Sequence, residues 1–334
     1  MQETSRKSRI LVVAELRGEK IHPISFELLS KGREIAEKTD GEVCTVVLGD
    51  RVERNVCLEF IHYGADKVFF FNSPLFSQPN VLNFKHNLVR LIKEEEPDII
   101  LIGATHFGKT LAPRVAAALK TGLTADCIDL QLDEKCDLVQ IRPAFTGNIL
   151  AHIKTRTKPV MSTIRYKVMN AGMRDLGRKG EIIEKHAEAP KDRGVNFIGR
   201  ESSKKLNIAD AEIIVSGGRG LGSAEGFKLL KELADLLGGV VGSSRTPVDE
   251  GWISKEHQVG FSGNTVKPRL YIACGISGSP QHLAGMKDSG MIIAINTDPS
   301  APIFKVADYG IVGDLYQTIP LLIKEIKAQK EGKN

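Results

Sequence analysis

Four short turns rich in glycine, serine and arginine carry the residues of this 334-residue chain that are best suited to bind an anionic ligand. The first turn, residues 216–223 (SGGRGLGS), lies between a β-like run and a helix-like run. Glycines let the backbone approach a ligand, a helix N-terminus offers free N–H groups, and Arg219 adds a mobile cation. This turn predicts a pyrophosphate site, although its spacing is not that of the G-x-G-x-x-G dinucleotide fingerprint.

Three further turns supply groups suited to a ring-bearing ligand. Residues 242–249 (GSSRTPVD) place hydroxyl groups and Arg245 after an apolar strand, residues 258–263 (QVGFSG) offer an amide, an aromatic ring and a hydroxyl, and residues 275–282 (GISGSPQH) follow the strand-like LYIAC. Each turn alone has an ordinary structural explanation, and His282 alone is more typical of a packed or surface histidine. Open α/β sheets bind ligands at the carboxyl ends of their strands, so the four turns together favour one ligand site.

A competing motif lies nearer the N-terminus. Residues 103–110 (GATHFGKT) run from Gly103 to Thr110 and match the P-loop pattern G-x-x-x-x-G-K-[ST], after a strand and before a helix. Nothing downstream reads as an apolar strand that ends in an aspartate able to hold Mg²⁺. We therefore expect a structural turn, and an ATP-binding P-loop with Lys109 at the phosphates is the alternative.

The elements that must position these turns follow from the spacing of apolar residues. From Arg9, short β-rich runs alternate with amphipathic stretches, which predicts a doubly wound parallel sheet. The runs CIDLQLD, LVQIRPAF, NILAHIK and PVMSTIRY resemble added, partly antiparallel strands, and residues 169–207 resemble a charged linker or an extended edge segment. A second α/β pattern then begins. The sequence predicts two doubly wound, Rossmann-like α/β domains, residues 1–205 and 206–334, with the ligand site in the second.

Composition excludes several classes of function. The 46 Lys and Arg residues exceed the 41 Asp and Glu residues by only five and are interleaved with them, so we expect no nucleic-acid partner. The five cysteines are scattered without metal-ligand spacing. The longest apolar runs fall far short of the roughly 20 residues that cross a bilayer. The first ten residues carry no signal-peptide pattern, so the expected compartment is the cytoplasm.

The second half of the chain closely resembles the α subunit of electron-transfer flavoproteins. The resemblance rests on SGGRGLGS, VGSSRTPVDEGW, QVGFSG, PRLYIACGISGSPQHLAGMKDS and AINTDPSAPIFKVADYGIVGDL. It extends more weakly to GATHFGKTLAPRVAAALKTGLTADC, where the P-loop match becomes coincidental. The resemblance implies an FAD-binding second domain. The cofactor-binding residues that it implies are Arg219, Ser244, Arg245, Gln258, Val259, Gly260, Phe261, Ser262, Ser277, Gly278, Ser279, Pro280, Gln281, His282, Asn296, Asp314 and Leu315.

Three of these residues are implied to tune the redox properties of the flavin. Arg245 and His282 would face the ring edge where negative charge develops on reduction, and the hydroxyl of Ser262 would lie near flavin N5. The pair Phe261-Ser262 stands where many members carry Gln-Thr, and Asn264 where many carry Lys. Serine keeps the hydroxyl, whereas phenylalanine removes an amide from beside the ring.

The resemblance also implies partners. The α subunit forms an obligate heterodimer with a β subunit and exchanges electrons with other flavoproteins, of the acyl-CoA dehydrogenase or quinone oxidoreductase type. The segment VVAELRGEKIHPISFELLSKGREIA and the phrase YIACGISG are more similar to electron-bifurcating members, in which NADH is the donor and ferredoxin one acceptor. The alternative function remains a P-loop ATP-binding protein that uses residues 103–110.

Overall fold

The computed structural model describes residues 8–18, 20–144, 149–190, 198–199 and 208–331 of two compact units, residues 1–200 and 201–334. The boundary expected after residue 205 lies outside the described residues. None of the helices in these ranges combines the length and the hydropathy that a membrane-spanning segment requires.

The first unit is built on a seven-stranded, wholly parallel sheet with the strand order β12-β5-β4-β1-β6-β11-β7. Strands β8, β9 and β10 form a separate antiparallel sheet, and β2 pairs with β3. The strands are β1 (Arg9–Val13), β2 (Leu16–Arg17), β3 (Lys20–Ile21), β4 (Glu42–Gly49), β5 (Lys67–Asn72), β6 (Ile99–Gly103), β7 (Leu123–Cys127), β8 (Asp129–Leu132), β9 (Leu138–Ala144), β10 (Ile149–Ile153), β11 (Val160–Ile164) and β12 (Glu181–Glu184). The helices are α1 (Ile24–Thr39), α2 (Arg54–His62), α3 (Val81–Glu95) and α4 (His106–Leu119).

Helices cover both faces of this sheet, α1 and α2 on one side and α3 and α4 on the other, and each face has its own apolar core. This is the doubly wound arrangement expected from the alternating pattern. The run PVMSTIRY differs from expectation, because β11 lies inside the parallel sheet between β6 and β7. All five of its residues are buried, as in a strand covered on both faces.

The charged segment expected as a linker or edge contributes the edge strand β12, which pairs in parallel with β5. Beyond this strand, the fully buried side chain of Asn87 on α3 holds the backbone of Glu188. The Asn87 amide donates to the Glu188 carbonyl at 2.9 Å and accepts from its N–H at 2.8 Å. The described part of this segment, residues 169–190, is therefore an integral part of the first unit.

The second unit contains a five-stranded parallel sheet with the order β14-β13-β15-β16-β17. Helices α5 and α8 cover one face, and α7 with irregular segments covers the other. The strands are β13 (Ile213–Gly217), β14 (Val240–Ser243), β15 (Leu270–Cys274), β16 (Ile292–Asn296) and β17 (Tyr309–Val312), and the helices are α5 (Gly226–Leu237), α6 (Arg245–Asp249), α7 (Pro280–Leu283) and α8 (Leu315–Glu331).

Candidate functional site

The strand order of the second sheet creates a crevice at the carboxyl end of its central strand. Numbered in chain order, the strands of this sheet lie in the order 2-1-3-4-5. The chain runs from β13 to its neighbour β14 on one side, and then returns past β13 to β15 on the other side, so the strand order reverses between β13 and β15. Ligands of doubly wound proteins bind at such a switch point. The turns after β13, β14 and β15 all lie at this edge.

The turns after β13 and β15 interlock through their glycines. Gly218 N–H donates to the Cys274 carbonyl at 2.9 Å, and Gly220 N–H donates to the Gly275 carbonyl at 3.0 Å. A Cβ atom on Gly218 would lie 2.2 Å from the Gly275 oxygen, closer than any side chain tolerates. The two turns can approach this closely only because these positions lack side chains.

The turn after β15 leaves a run of backbone donors without a partner in the described chain. The N–H groups of Ile276, Ser277, Gly278 and Ser279 donate to no acceptor among the described residues. The turn is fixed from outside, because Asn296 donates its amide to the Ile276 carbonyl at 3.0 Å and Ile303 N–H donates to the Ser277 carbonyl at 3.0 Å. Successive free N–H groups in a fixed turn form an anion-binding concavity.

The turn after β13 carries a positively charged side chain, that of Arg219. Arg219 is exposed and forms no ion pair with the described residues. A fixed run of N–H groups facing a turn with an uncompensated guanidinium suits a pyrophosphate.

The end of β14 positions the second cation. Ser244 N–H donates to the Gly217 carbonyl at 2.9 Å, which ties this turn to β13, and Arg245 begins the short helix α6. The Arg245 guanidinium is exposed, and its Nε lies 3.0 Å from a carboxylate oxygen of Asp249, one helical turn later. Sequence reasoning missed Asp249, although its i,i+4 spacing from an arginine is a recognisable signal.

The turn at residues 258–262 joins the same edge. Val259 N–H donates to the Ser243 carbonyl at 2.8 Å, and Phe261 N–H donates to the Gln281 carbonyl at 2.7 Å. The buried amide of Gln258 donates to the Ser262 hydroxyl at 3.0 Å, while Phe261 and Ser262 are exposed. The two backbone bonds therefore hold the turn at residues 258–262 against the end of β14 and against the turn that leads into α7.

Both ring nitrogens of His282 are hydrogen-bonded within the chain. Its ring is buried, with Nδ1 3.1 Å from the Val259 carbonyl and Nε2 3.1 Å from the Tyr271 hydroxyl. Since a carbonyl only accepts, Nδ1 carries the proton and Nε2 accepts from Tyr271. Burial lowers the pKa of His282 to about 4, so the ring is neutral. It has no further N–H to offer, and in this arrangement it braces the turn at residues 258–262 against β15.

The residues expected at the adenosine end have uses within the chain. Asn296 holds the Ile276 carbonyl, and its side-chain oxygen accepts from Asp298 N–H at 3.0 Å. Asp314 accepts from Tyr316 N–H at 2.9 Å at the start of α8, and Leu315 is buried. The hydroxyl of Tyr316 donates to the Leu221 carbonyl at 2.5 Å, so α8 holds the arginine turn, a role that sequence reasoning did not find.

The structure does not support the P-loop alternative. Only two residues separate β6 from α4, and the hydroxyl of Thr105 accepts the N–H of Gly108 at 3.0 Å. A Cβ atom on Gly108 would lie 1.9 Å from the Gly103 oxygen, which explains this glycine by close packing. The Lys109 ammonium lies 3.2 Å from the Asp126 carboxylate. The turn is too short to form a phosphate-binding loop, and the Gly108 N–H and the Lys109 ammonium already have partners within the chain.

A parallel 2-1-3-4-5 sheet with glycine turns, free N–H groups and cations at its switch point defines a doubly wound protein that binds a nucleotide or a flavin nucleotide. Comparison with known proteins gives the family. Residues 10–190 match the electron transfer flavoprotein domain, and residues 207–287 match the electron transfer flavoprotein FAD-binding domain. The chain belongs to the electron transfer flavoprotein α-subunit family. Its cofactor is FAD, and the predicted fold class and family resemblance are confirmed.

Curated relatives extend over nearly the whole chain. The electron transfer flavoprotein subunit alpha of Thermoanaerobacterium thermosaccharolyticum is 49% identical, over 96% of this chain and 98% of its own length. That of Megasphaera elsdenii is 45% identical, over 96% and 97%. Subunit LctC of the lactate dehydrogenase (NAD(+),ferredoxin) of Acetobacterium woodii is 41% identical, over 94% of this chain and 76% of its own length.

Proposed function

We propose that the second unit holds FAD at the switch point of its sheet, with the pyrophosphate on the free N–H groups of residues 276–279 and beside Arg219. Those N–H groups are the single observation on which this placement depends, because they are fixed and make no bond within the described chain. Ser244, Arg245 and the turn at residues 258–262 border the flavin ring. Asn296, Asp314 and Leu315 shape the adenosine end.

FAD, when bound, supplies the electron-accepting chemistry of the protein, and this chain transforms no substrate of its own. Arg245 contributes a permanent positive charge that favours negative charge on a neighbouring ring. The Ser262 hydroxyl, oriented by Gln258, offers a hydrogen bond at the rim. His282 acts through Val259, whose carbonyl it holds, rather than as a donor from its ring.

The partners belong to the same proposal. We infer an obligate heterodimer with a β subunit, and electron bifurcation from NADH to ferredoxin and a second acceptor. The relative LctC supports this, since its name includes both NAD(+) and ferredoxin. The other candidate within the family is a simple carrier that is reduced by acyl-CoA dehydrogenases or exchanges electrons with quinone oxidoreductase-type flavoproteins.

The first test is the flavin content of the chain purified with its β subunit. Two flavins per heterodimer would support bifurcation, whereas one would favour the simple carrier. No flavin at all would contradict the proposal as a whole.

The second test is Arg245→Ala. One charge-assisted hydrogen bond contributes about 1.5–3 kcal/mol, which corresponds to a fall of roughly 60–130 mV in the first one-electron potential. Lys231→Ala on α5 removes the same charge from an exposed i,i+4 pair elsewhere in the unit and is the matched control. Equal potentials in the two variants would show that Arg245 does not tune the flavin.

A further inference from the structure

We infer that Asp249 is a positioning residue for Arg245, holding its guanidinium by one edge so that the other edge faces the FAD ring. The inference rests on the proposed role of Arg245. The evidence is the 3.0 Å contact between Arg245 Nε and Asp249 Oδ2, across one turn of α6. Asp249 has no other ion pair among the described residues.

The geometry of arginine explains how such a contact can orient a ligand-binding group. The guanidinium is planar and carries five N–H donors in fixed directions. The Nε–H group and the Nη–H groups can therefore bind different acceptors on different edges of the same plane. With Nε bound to Asp249, the two Nη groups remain for a ligand in a defined direction. A lone arginine on a short exposed helix would sample many rotamers, and binding would have to select one of them.

Surface stabilisation is a weak explanation for this pair. The side chains of Arg245 and Asp249 are 72% and 59% exposed, and exposed pairs of this kind contribute little to folding. The same unit contains a comparable pair on α5, Lys231 and Asp235, at 3.0 Å and with 68% and 60% exposure. That pair has the same spacing and a similar exposure, but it lies on a helix that carries none of the predicted FAD residues. Disrupting it therefore shows the effect that loss of an ordinary surface pair has on the reduction potential.

Two roles of Asp249 predict opposite changes in redox potential. If Asp249 acted only as a negative charge near the flavin, its neutralisation would make the first one-electron reduction easier and raise the potential. If it positions Arg245, neutralisation releases the cation and lowers the potential. The sign of the change therefore separates positioning from simple charge, and a structural role at the surface predicts no change.

The experiment measures the first reduction potential and the dissociation constant for FAD in Asp249→Asn, with Asp235→Asn as the control, both in the heterodimer. We expect Asp249→Asn to lower the equilibrium constant of the first one-electron reduction about tenfold, which lowers its potential by ~59 mV. We also expect the dissociation constant for FAD to rise several-fold. We expect Asp235→Asn to match the parent protein. Asp249→Glu keeps a carboxylate within reach and should restore most of the potential.

A background that lacks the cation gives the decisive comparison. In Arg245→Ala, adding Asp249→Asn should raise the potential, because only the charge effect of Asp249 remains. A potential in Asp249→Asn that equals that of Asp235→Asn, or exceeds that of the parent, would overturn the inference while leaving FAD binding intact. Failure of the proposed function would look different, since the parent heterodimer would then contain no FAD.

Discussion

Gly218→Ala is expected to weaken FAD binding by forcing apart the two turns at which we propose that the pyrophosphate binds. The new Cβ atom would lie 2.2 Å from the Gly275 oxygen and 2.8 Å from both the Gly275 carbonyl carbon and the Ile276 Cα. The backbone of Gly218 has φ −109°, which any residue adopts, so the effect comes from contact alone. The turns must separate by roughly 1 Å to restore ordinary packing distances.

The size of the effect follows from what that separation disturbs. Overpacking typically costs about 1–3 kcal/mol of folding free energy. The shift also moves the N–H groups of residues 276–279, and the loss of one charge-assisted hydrogen bond costs about 1.5–3 kcal/mol, so the dissociation constant for FAD should rise by roughly 10-fold to 150-fold. Titration of the flavin-free heterodimer with FAD, followed by flavin fluorescence, measures this directly.

Gly222→Ala is the control within the same turn. Gly222 has φ +72° and no atom within 4 Å of its hypothetical Cβ, so alanine there introduces backbone strain without a collision. We expect a stability loss of about 1–2 kcal/mol with little change in FAD affinity. If Gly218→Ala binds FAD like the parent, or if both variants lose affinity equally, the interlocked turns do not form the pyrophosphate site.

Two further outcomes are expected. The pKa of His282 is about 4 in the folded chain against an ordinary 6.5, so the unfolded chain takes up a proton at this residue first as the pH falls. The contribution of His282 to stability should be constant above pH 7 and should decrease between pH 6.5 and 4. His282→Asn should flatten this decline in denaturant titrations at several pH values, and an unchanged slope would place its origin elsewhere. Lys109→Ala should cost under about 1 kcal/mol through its half-exposed pair with Asp126, with no Mg-ATP binding by calorimetry in either protein.

The alternation of strands and helices was predictable from the sequence because apolar spacing is a local signal. Helix α5, for example, places Phe227, Leu230, Leu233 and Ala234 on one buried face and is capped after Leu237 by Gly238, which has φ +71°. The order of the strands was not predictable in the same way. The run that forms β11 reads as one more short strand, and only pairing with residues about 60 positions away reveals its central place.

That the glycine- and serine-rich turns gather at one edge of the sheet was also predictable, because they follow parallel strands whose carboxyl ends meet there. The contacts that each side chain makes within the chain were not predictable. His282 belongs to a ligand-like motif, yet its surroundings, Tyr271 and Val259, come from other segments and make it a neutral brace. Conversely, neither Asp249 nor Tyr316 was among the predicted FAD-binding residues. Asp249 could have been recognised from its i,i+4 spacing to Arg245, whereas the role of Tyr316 depends on a contact that only the fold creates.

The bonds between Asn87 and Glu188 have a consequence for the synthesis of this protein. They join residues 101 positions apart, and β12, just before Glu188, is the edge strand of the first sheet. Domains generally fold as units while the ribosome is still extending the chain. Here the first unit cannot close until nearly 190 residues have emerged, and until then the edge of β5 is open and Asn87 lacks its partner. A nascent chain shorter than this should be the form that most needs a chaperone.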